Sequence, residues 1–473
     1  MRNALNWSRL LLLLCCCLVP AHPAMAKETA PSGNREAEIE APETDASRES
    51  FTEWEAGDLF AESIAMLWRT STRRNIKRTD HDLNPSQSLF HFTEKEYLTA
   101  IDLEWTPILT DRSNFRTRGV LLHRRLDDKE ATEGFLLEGY LQWRNSLQNL
   151  VLNIGKVRLA WGGGYAWNPT QVLIMLPRAS EDEEIKAEEG LEMLQVELAG
   201  HNITLTAILA RLDDKKTDSR TEIPWQTAAR LSFNQEPWEF AAVYHQATGY
   251  AAKYGISYTG LVTDALELHG EWSRTGTRDR NRILRLTDGT PMGPLYLPAR
   301  YTYTDDNRKK DYDQILIGGQ ATFSRNMNII VELYRTTHGY DTHEWELAGR
   351  GIEEALREDA WANPVYPFTT SLGNPYAGFL KNTLSAIDDS QLRQNYLFLR
   401  FTSGETETLW EYEHILISNL DDQSQVHRFI LHKSWVDFIQ TNLEVTLFRG
   451  AGRSEFGLNP YREVYALTLD VTF

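Results

Sequence analysis

Between Gly155 and Pro169 the chain reads G-K-V-R-L-A-W-G-G-G-Y-A-W-N-P, its most unusual stretch. Three successive glycines, Gly162, Gly163 and Gly164, permit positive φ and let backbone N–H groups approach another group closely. Trp161, Tyr165 and Trp167 supply large rigid surfaces, and Asn168-Pro169 forms a turn. Lys156 and Arg158 add fixed positive charge. Such a segment suits the constriction of a passage. It suits equally a tight outer turn with its aromatics at a membrane interface, and spacing alone leaves both readings open.

Covalent chemistry finds less support. His432 and Ser434 share one face of a strand-like run, but that face reads as the lumen and no supporting motif accompanies them, so no catalytic residue is assigned and a hydrolase is the weaker reading. The three cysteines, Cys15, Cys16 and Cys17, lie near the N-terminus in a segment expected to be removed. Thiol catalysis, disulfides and cysteine-ligated haem are thereby excluded from the mature chain. No metal ligand set or cofactor motif is expected. Asp305, Asp306, Asp311 and Asp313 read as a solvated cluster.

The elements that must position these residues are strands. From Ile64 to the end, short segments alternate apolar and polar residues with period two, separated by turn formers. Ile101, Leu103 and Trp105 alternate with Asp102 and Glu104; Phe135, Leu137, Leu141 and Trp143 alternate with Glu138, Tyr140, Gln142 and Arg144. Ile315 to Phe323 and Met327 to Leu333 read as a hairpin. In all, about 18 strands are expected, 16 at the fewest. Short turns are predicted at Gly200-His201, Asn234 to Pro237, Gly260 to Thr263, Ser324 to Asn326, Ser403 to Thr406 and Asp437 to Gln440. Long loops are predicted at Leu159 to Gly190, Arg211 to Pro224, Ser273 to Tyr312 and Thr337 to Leu392, with a helical stretch over Glu344 to Ala360. This alternation predicts an all-β, antiparallel up-and-down transmembrane barrel over residues 59–473, with long extracellular loops and short periplasmic turns.

Both ends of the chain agree. Leu10 to Val19 is apolar but too short to span a bilayer, and Ala24-Met25-Ala26 offers a cleavage site, so residues 1–26 read as a signal peptide. Lys27 to Asp58, rich in Glu, Ala, Pro and Ser, reads as a disordered acidic periplasmic segment. Tyr465, Leu467, Leu469, Val471 and Phe473 form the apolar face of a last strand that ends on an aromatic. That ending resembles the signal by which the assembly machinery of Gram-negative bacteria recognises outer-membrane barrels. The resemblance implies an outer-membrane location, with the assembly machinery, periplasmic chaperones, outer-membrane lipid and lipopolysaccharide as partners. Residues 155–169 further resemble a G-K/R-Q-R-x-x-W-G-x-G-x-x-W-N-P pattern of poorly characterised outer-membrane barrels of porin and alginate-export type, with Val157 in place of the usual Gln.

Polar strand faces assigned to the lumen carry Asp102, Glu104, Glu138, Glu267, Glu271 and Glu332, joined by Glu197, Glu239, Glu444 and Asp470. Their basic counterparts are Arg116, Arg118, Arg144, Arg230, Arg400 and Arg428. Net charge is −18, or about −20 once Arg2 and Arg9 are removed, which excludes nucleic acid and favours neutral or cationic solutes if the balance matters. The expected activity is a porin-like channel for a small polar solute or an exported polysaccharide, and not an enzyme. A structural or partner-docking barrel and an electron-conduit scaffold, whose haem would come from a partner, are the alternatives.

Overall fold

The computed structural model describes residues 64–79, 81–85, 89, 91–173, 189–211, 225–248, 250–276, 311–323, 327–356, 380, 383, 392–405 and 409–473, with four short strand pieces between 282 and 304. The segments 1–26 and 27–58, Asp305, Asp306, the turn 324–326 and residues 357–360 of the expected helix lie outside them. One sheet of 19 strands forms the body. A three-residue piece, Ile108–Thr110, is one of these; the other 18 form a closed wall. They are β1 (Ile64–Lys77), β2 (Lys95–Trp105), β3 (Ser113–Leu126), β4 (Lys129–Arg144), β5 (Leu150–Val157), β6 (Leu191–Ala199), β7 (Ile203–Arg211), β8 (Trp225–Gln235) and β9 (Trp238–Ala247). The second half runs β10 (Lys253–Thr263), β11 (Leu266–Thr275), β12 (Tyr312–Phe323), β13 (Met327–Thr336), β14 (Asn395–Glu405), β15 (Trp410–Asn419), β16 (Gln425–Val436), β17 (Ile439–Arg449) and β18 (Tyr461–Thr472).

Each strand pairs antiparallel with its successor, and β18 pairs with β1, so no edge is left. At the seam Thr70 faces Leu469 and Trp68 faces Val471 on the outside. Arg69 and Asp470 meet on the inside, Nε to Oδ1 at 2.8 Å. Phe473 and Met66 exchange backbone hydrogen bonds of 2.8 and 3.3 Å. Large apolar side chains are exposed all round the outer face, among them Leu103, Leu121, Ile154, Ile256, Leu443 and Leu467. An apolar band of this extent is stable only against lipid. The wall is therefore a transmembrane β-barrel, and the period-two pattern is the trace of its two faces.

Two expectations are corrected. Phe135 and Leu137 do not share the outer face with Leu141. A bulge makes Arg118 oppose Glu138 while Gly119 opposes Leu136, so Leu137 is the extra residue and the parity of β4 flips above it. Leu136, 52% exposed, points outward, whereas Leu137, 1% exposed, packs inside with Val120 and Leu122. Nor are all outer connections long. β3 and β4 are joined by Asp127 and Asp128 alone, and β15 and β16 by residues 420–424. Positive φ at Asp127 and Gln423 supplies the tight reversal in each.

Outer loops build a cap with its own small core. Helix α1 (Thr342–Leu356) starts with a reciprocal capping box: Glu344 N–H donates to Asp341 Oδ1 and Asp341 N–H to Glu344 Oε2, both at 2.9 Å. Its Ala348, Ile352 and Ala355 bury against Leu83, Leu392 and Leu458. Arg453 ties the layers together, reaching Asp82 at 3.1 Å and Glu353 at 3.3 Å. Beneath them Glu455 is fully enclosed, accepting from Leu392 N–H at 2.7 Å and from Tyr396 Oη at 2.9 Å. Burial, helped by nearby Asp422, pushes its carboxyl up to about 7 against the pull of those donors.

Lipid-facing and lumen-facing substitutions on one strand should separate cleanly. Leu467→Arg is expected to cost about 2–4 kcal/mol in denaturant titrations of the barrel in bilayers, and Thr468→Arg much less. Cap stability should depend on pH. Because the folded-state pKa of Glu455 is raised, its contribution is complete below the ordinary carboxylate value near 4.5 and is lost as pH rises through about 7. Hydrogen exchange at Leu392 and over 451–458 should therefore accelerate across that window, and Glu455→Gln should abolish the pH dependence.

Candidate pore constriction

At Val157 β5 ends, and the chain turns inward as a strap over Arg158 to Leu173. Its near leg lies on the wall it has just left: Trp161, Val172 and Leu173 are buried with Val157, Met193, Ile208 and Val243. Gln171 clamps the two legs, accepting from Trp161 N–H at 2.7 Å and donating to Leu159 O at 3.0 Å. The far part reaches the lumen faces of β11 to β14, six to nine positions round a wall of 18, where nine is diametrically opposite. A segment joining those walls crosses the interior.

Two buried carboxylates hold it there. Glu271 of β11 accepts from Gly163 N–H at 2.7 Å, Gly164 N–H at 3.0 Å, and both the N–H and the hydroxyl of Thr170 at 2.8 Å. Glu332 of β13 accepts from Tyr165 N–H and, at 2.9 Å, from Ala166 N–H. His269 Nε2 lies 2.9 Å from Glu332 Oε1. Successive N–H groups converging on one anion form a nest. Charge-assisted bonds of this kind contribute about 1.5–3 kcal/mol each. Glu271 and Glu332 are each sixth of ten residues in their strands, which puts the anchors at mid-height.

The glycines are required by this approach. Gly162 has φ +106°, and a Cβ there would stand 2.6 Å from Glu271 Oε1. On Gly164 a Cβ would meet Trp167 O at 1.9 Å and Leu316 Cδ2 at 2.3 Å. Trp167 stacks on Tyr334 with centroids 4.8 Å apart and touches Tyr396 at 5.7 Å. Tyr165 lies half exposed over Phe398, with the Arg400 guanidinium 4.7 Å from its ring.

The other expected lumen residues are less concentrated. Arg118 meets Asp102 at 2.6 Å; Arg116 bridges Glu104 at 3.1 Å and Glu138 at 3.3 Å; Arg428 meets Glu444 at 2.6 Å; Arg230 pairs with Glu239. Arg400 pairs with Glu413 at 2.7 Å, and His432 lies 3.8 Å from that same carboxylate and 2.7 Å from Asn442. Ser434 is not among the hydrogen-bond partners of His432. Arg144 is exposed near the periplasmic end, and Glu267 is half-buried below Glu271. Lys156 sits on the outward-facing register of β5 and pairs with Glu189 at 2.5 Å, while Arg158 donates its N–H to Glu138 at 3.3 Å. Asn168 closes a turn by accepting from Gln171 N–H at 3.0 Å.

In these lumen pairs, Arg230–Glu239 excepted, the cation is the wetter partner. Arg73 is 49% exposed against 11% for Glu96, and Arg428 40% against 17% for Glu444. The carboxylates sit against the wall and the guanidiniums project. Sequence reasoning had missed Glu413, His269, Thr170 and Gln171. One signal was available: the lumen faces of β11, β12 and β13 hold no Lys or Arg in register with Glu271 and Glu332, so their donors had to come from elsewhere.

A closed 18-strand wall with an apolar outer band and an infolded loop defines the class, a β-barrel of the Gram-negative outer membrane. No family model and no curated relative matches the chain. Among solved structures it is similar to Pseudomonas aeruginosa OccK5 (OpdH), at 9% identity and TM-score 0.46 over 88% of this chain and 98% of that one. It is also similar to P. aeruginosa OpdQ, at 9% identity and TM-score 0.48 over 87% and 97%. Acinetobacter baumannii OccAB1 gives 10% identity and TM-score 0.47 over 87% and 96%.

The anchors predict the behaviour of the strap. Glu271→Ala with Glu332→Ala strips the nest of its anion and leaves buried N–H groups unpaired, at about 1–3 kcal/mol each. Protease cutting within 158–173 should rise strongly while the barrel stays folded on gels. Gly164→Ala should act in the same direction, and unchanged cutting in both variants would contradict the anchoring.

Proposed function

We propose that the protein is an outer-membrane channel for passive or facilitated passage of small polar solutes, with residues 158–173 as its constriction. The observation that carries this is the strap itself, held across the lumen at mid-height by Glu271 and Glu332. A merely structural barrel has no need of two buried carboxylates to hold a glycine-rich segment away from its wall. With the strap against β5–β9 on one side and β11–β14 on the other, the remaining passage is bounded by β14–β18, β1–β4 and the Tyr165 edge.

Its chemistry departs from the overall negative charge. Arg69, Arg73 and Arg428 present guanidiniums to this passage while their carboxylate partners are shielded. A solute at the wall therefore meets donors first, which favours anionic over cationic solutes in the lumen.

Planar-bilayer recordings of the refolded full chain test the reading, and absence of conductance would sink it. Deleting Gly162 to Tyr165, or removing both anchors, should raise single-channel conductance. Arg73→Glu with Arg428→Glu should shift the reversal potential in a salt gradient towards cations. A shift towards anions would contradict the exposed-cation argument.

A further inference from the structure

Charged groups on the outer wall lie towards the strand ends, as Lys156, Glu192, Arg335 and Arg449 do. On β15 and β16 a pair of imidazoles departs from this. His414 is fifth of ten residues in β15 and shares its outer face with the exposed Trp410 and Tyr412. It faces Phe429 across the ladder, and Leu416 faces His427, so both imidazoles stand on the lipid side. The flanking rows are Leu399 and Phe401 on β14 and Val445 and Leu447 on β17. On the opposite wall, β6 to β8 present Leu194, Leu205 and Leu231.

The hydrogen bonds of this pair run in one direction. His427 Nε2 donates to Gln425 Oε1 at 3.2 Å, which leaves His427 Nδ1 as an acceptor. That nitrogen takes the N–H of His414 Nε2 at 3.3 Å. The Phe429 ring stacks on the His414 ring, with centroids 4.3 Å apart and planes 5° apart, and fixes its orientation. His414 Nδ1 is then an acceptor with no partner among the described residues. One row nearer the periplasm, the Tyr412 hydroxyl is a donor likewise without one, its ring tilted against Phe401 at 6.2 Å.

Hydrocarbon can satisfy neither group, and a polar atom left unmatched in a bilayer is costly. We propose that the outer face of β14 to β16 is a membrane-embedded interface between two copies of this chain. Copies in one membrane share their orientation, so a two-fold axis along the bilayer normal brings equal depths together. The Tyr412 hydroxyl of each copy then donates to His414 Nδ1 of the other, one row away. One free donor and one free acceptor on the same patch make the contact self-complementary, as a two-fold interface requires. Phe401, Tyr412 and Phe429 supply the aromatic surface in which interface cores are rich. The proposal needs only the membrane barrel and does not depend on the channel reading.

Sedimentation equilibrium of the refolded full chain in density-matched detergent micelles tests it. The wild-type chain should show a monomer–dimer equilibrium. Tyr412→Phe, which removes a single oxygen, and His414→Leu should each raise the dissociation constant about tenfold. Because both act on the same bond, the double variant should weaken association no further than either alone. Leu205→Ala, on the opposite wall, should leave the equilibrium unchanged. Heat-modifiable gel mobility reports whether each variant is folded. A wild-type chain that stays monomeric at every protein-to-detergent ratio overturns the proposal. A dimer that the folded Tyr412→Phe and His414→Leu variants retain undiminished uses another face and overturns it equally.

Discussion

Everything in this molecule depends on one demand of the bilayer: a backbone in hydrocarbon must find all its hydrogen bonds within itself. A strand satisfies only half of that demand through each neighbour, so the sheet has to close. The β1–β18 seam, with Phe473 bonded to Met66 and Arg69 to Asp470, is where it does so. Closure then sorts the side chains. One face must be apolar, and the other becomes the only place where ionised groups avoid lipid. That is why the lumen ion pairs lie inside and why a loop has an interior to enter.

Entering it raises the same problem on a smaller scale. The strap brings a run of backbone N–H groups into a confined space, where each needs an acceptor. Glu271 and Glu332 provide one carboxylate for every two or three N–H groups, so the strap satisfies acceptors for which the facing wall positions hold no Lys or Arg. Apolar contacts hold both ends: Trp161 on the near side and Trp167 on the far side. The arrangement is a mutual satisfaction of donors and acceptors, and it explains the otherwise odd run of glycines. Any Cβ at Gly164 would displace the chain from the acceptors.

The barrel was legible because period-two alternation is a local property, and every one of the 18 expected segments overlaps a wall strand. The bulge at Leu137 escaped because a bulge inserts one residue without altering composition, and Phe135-Leu136-Leu137 is apolar in either parity. Likewise, the two-residue hairpin Asp127-Asp128 hid inside a pattern of long outer loops. Within the candidate site, the glycine-aromatic run and the carboxylates Glu271 and Glu332 were each visible. Their pairing was not, since about 100 residues separate Gly163 from Glu271 and only closure of the wall brings β5 opposite β14. Lys156, expected at the constriction, stands on the outward register set by its pairing with Gly139, which charge and proximity to the glycines do not reveal.

Closure also joins the strap to the cap. Tyr396, fully buried near the outer end of β14, donates its hydroxyl to Glu455 while its ring meets Trp167. Its backbone position is fixed by the wall, so neither contact can relax independently. If Glu455 ionises, the enclosed carboxylate strengthens its hold on the Tyr396 hydroxyl even as its burial becomes less favourable. The strain therefore falls on the less constrained parts, the loop 450–458 and its contact at Leu392. The strap, with acceptors on two further strands, is the more firmly held of the two.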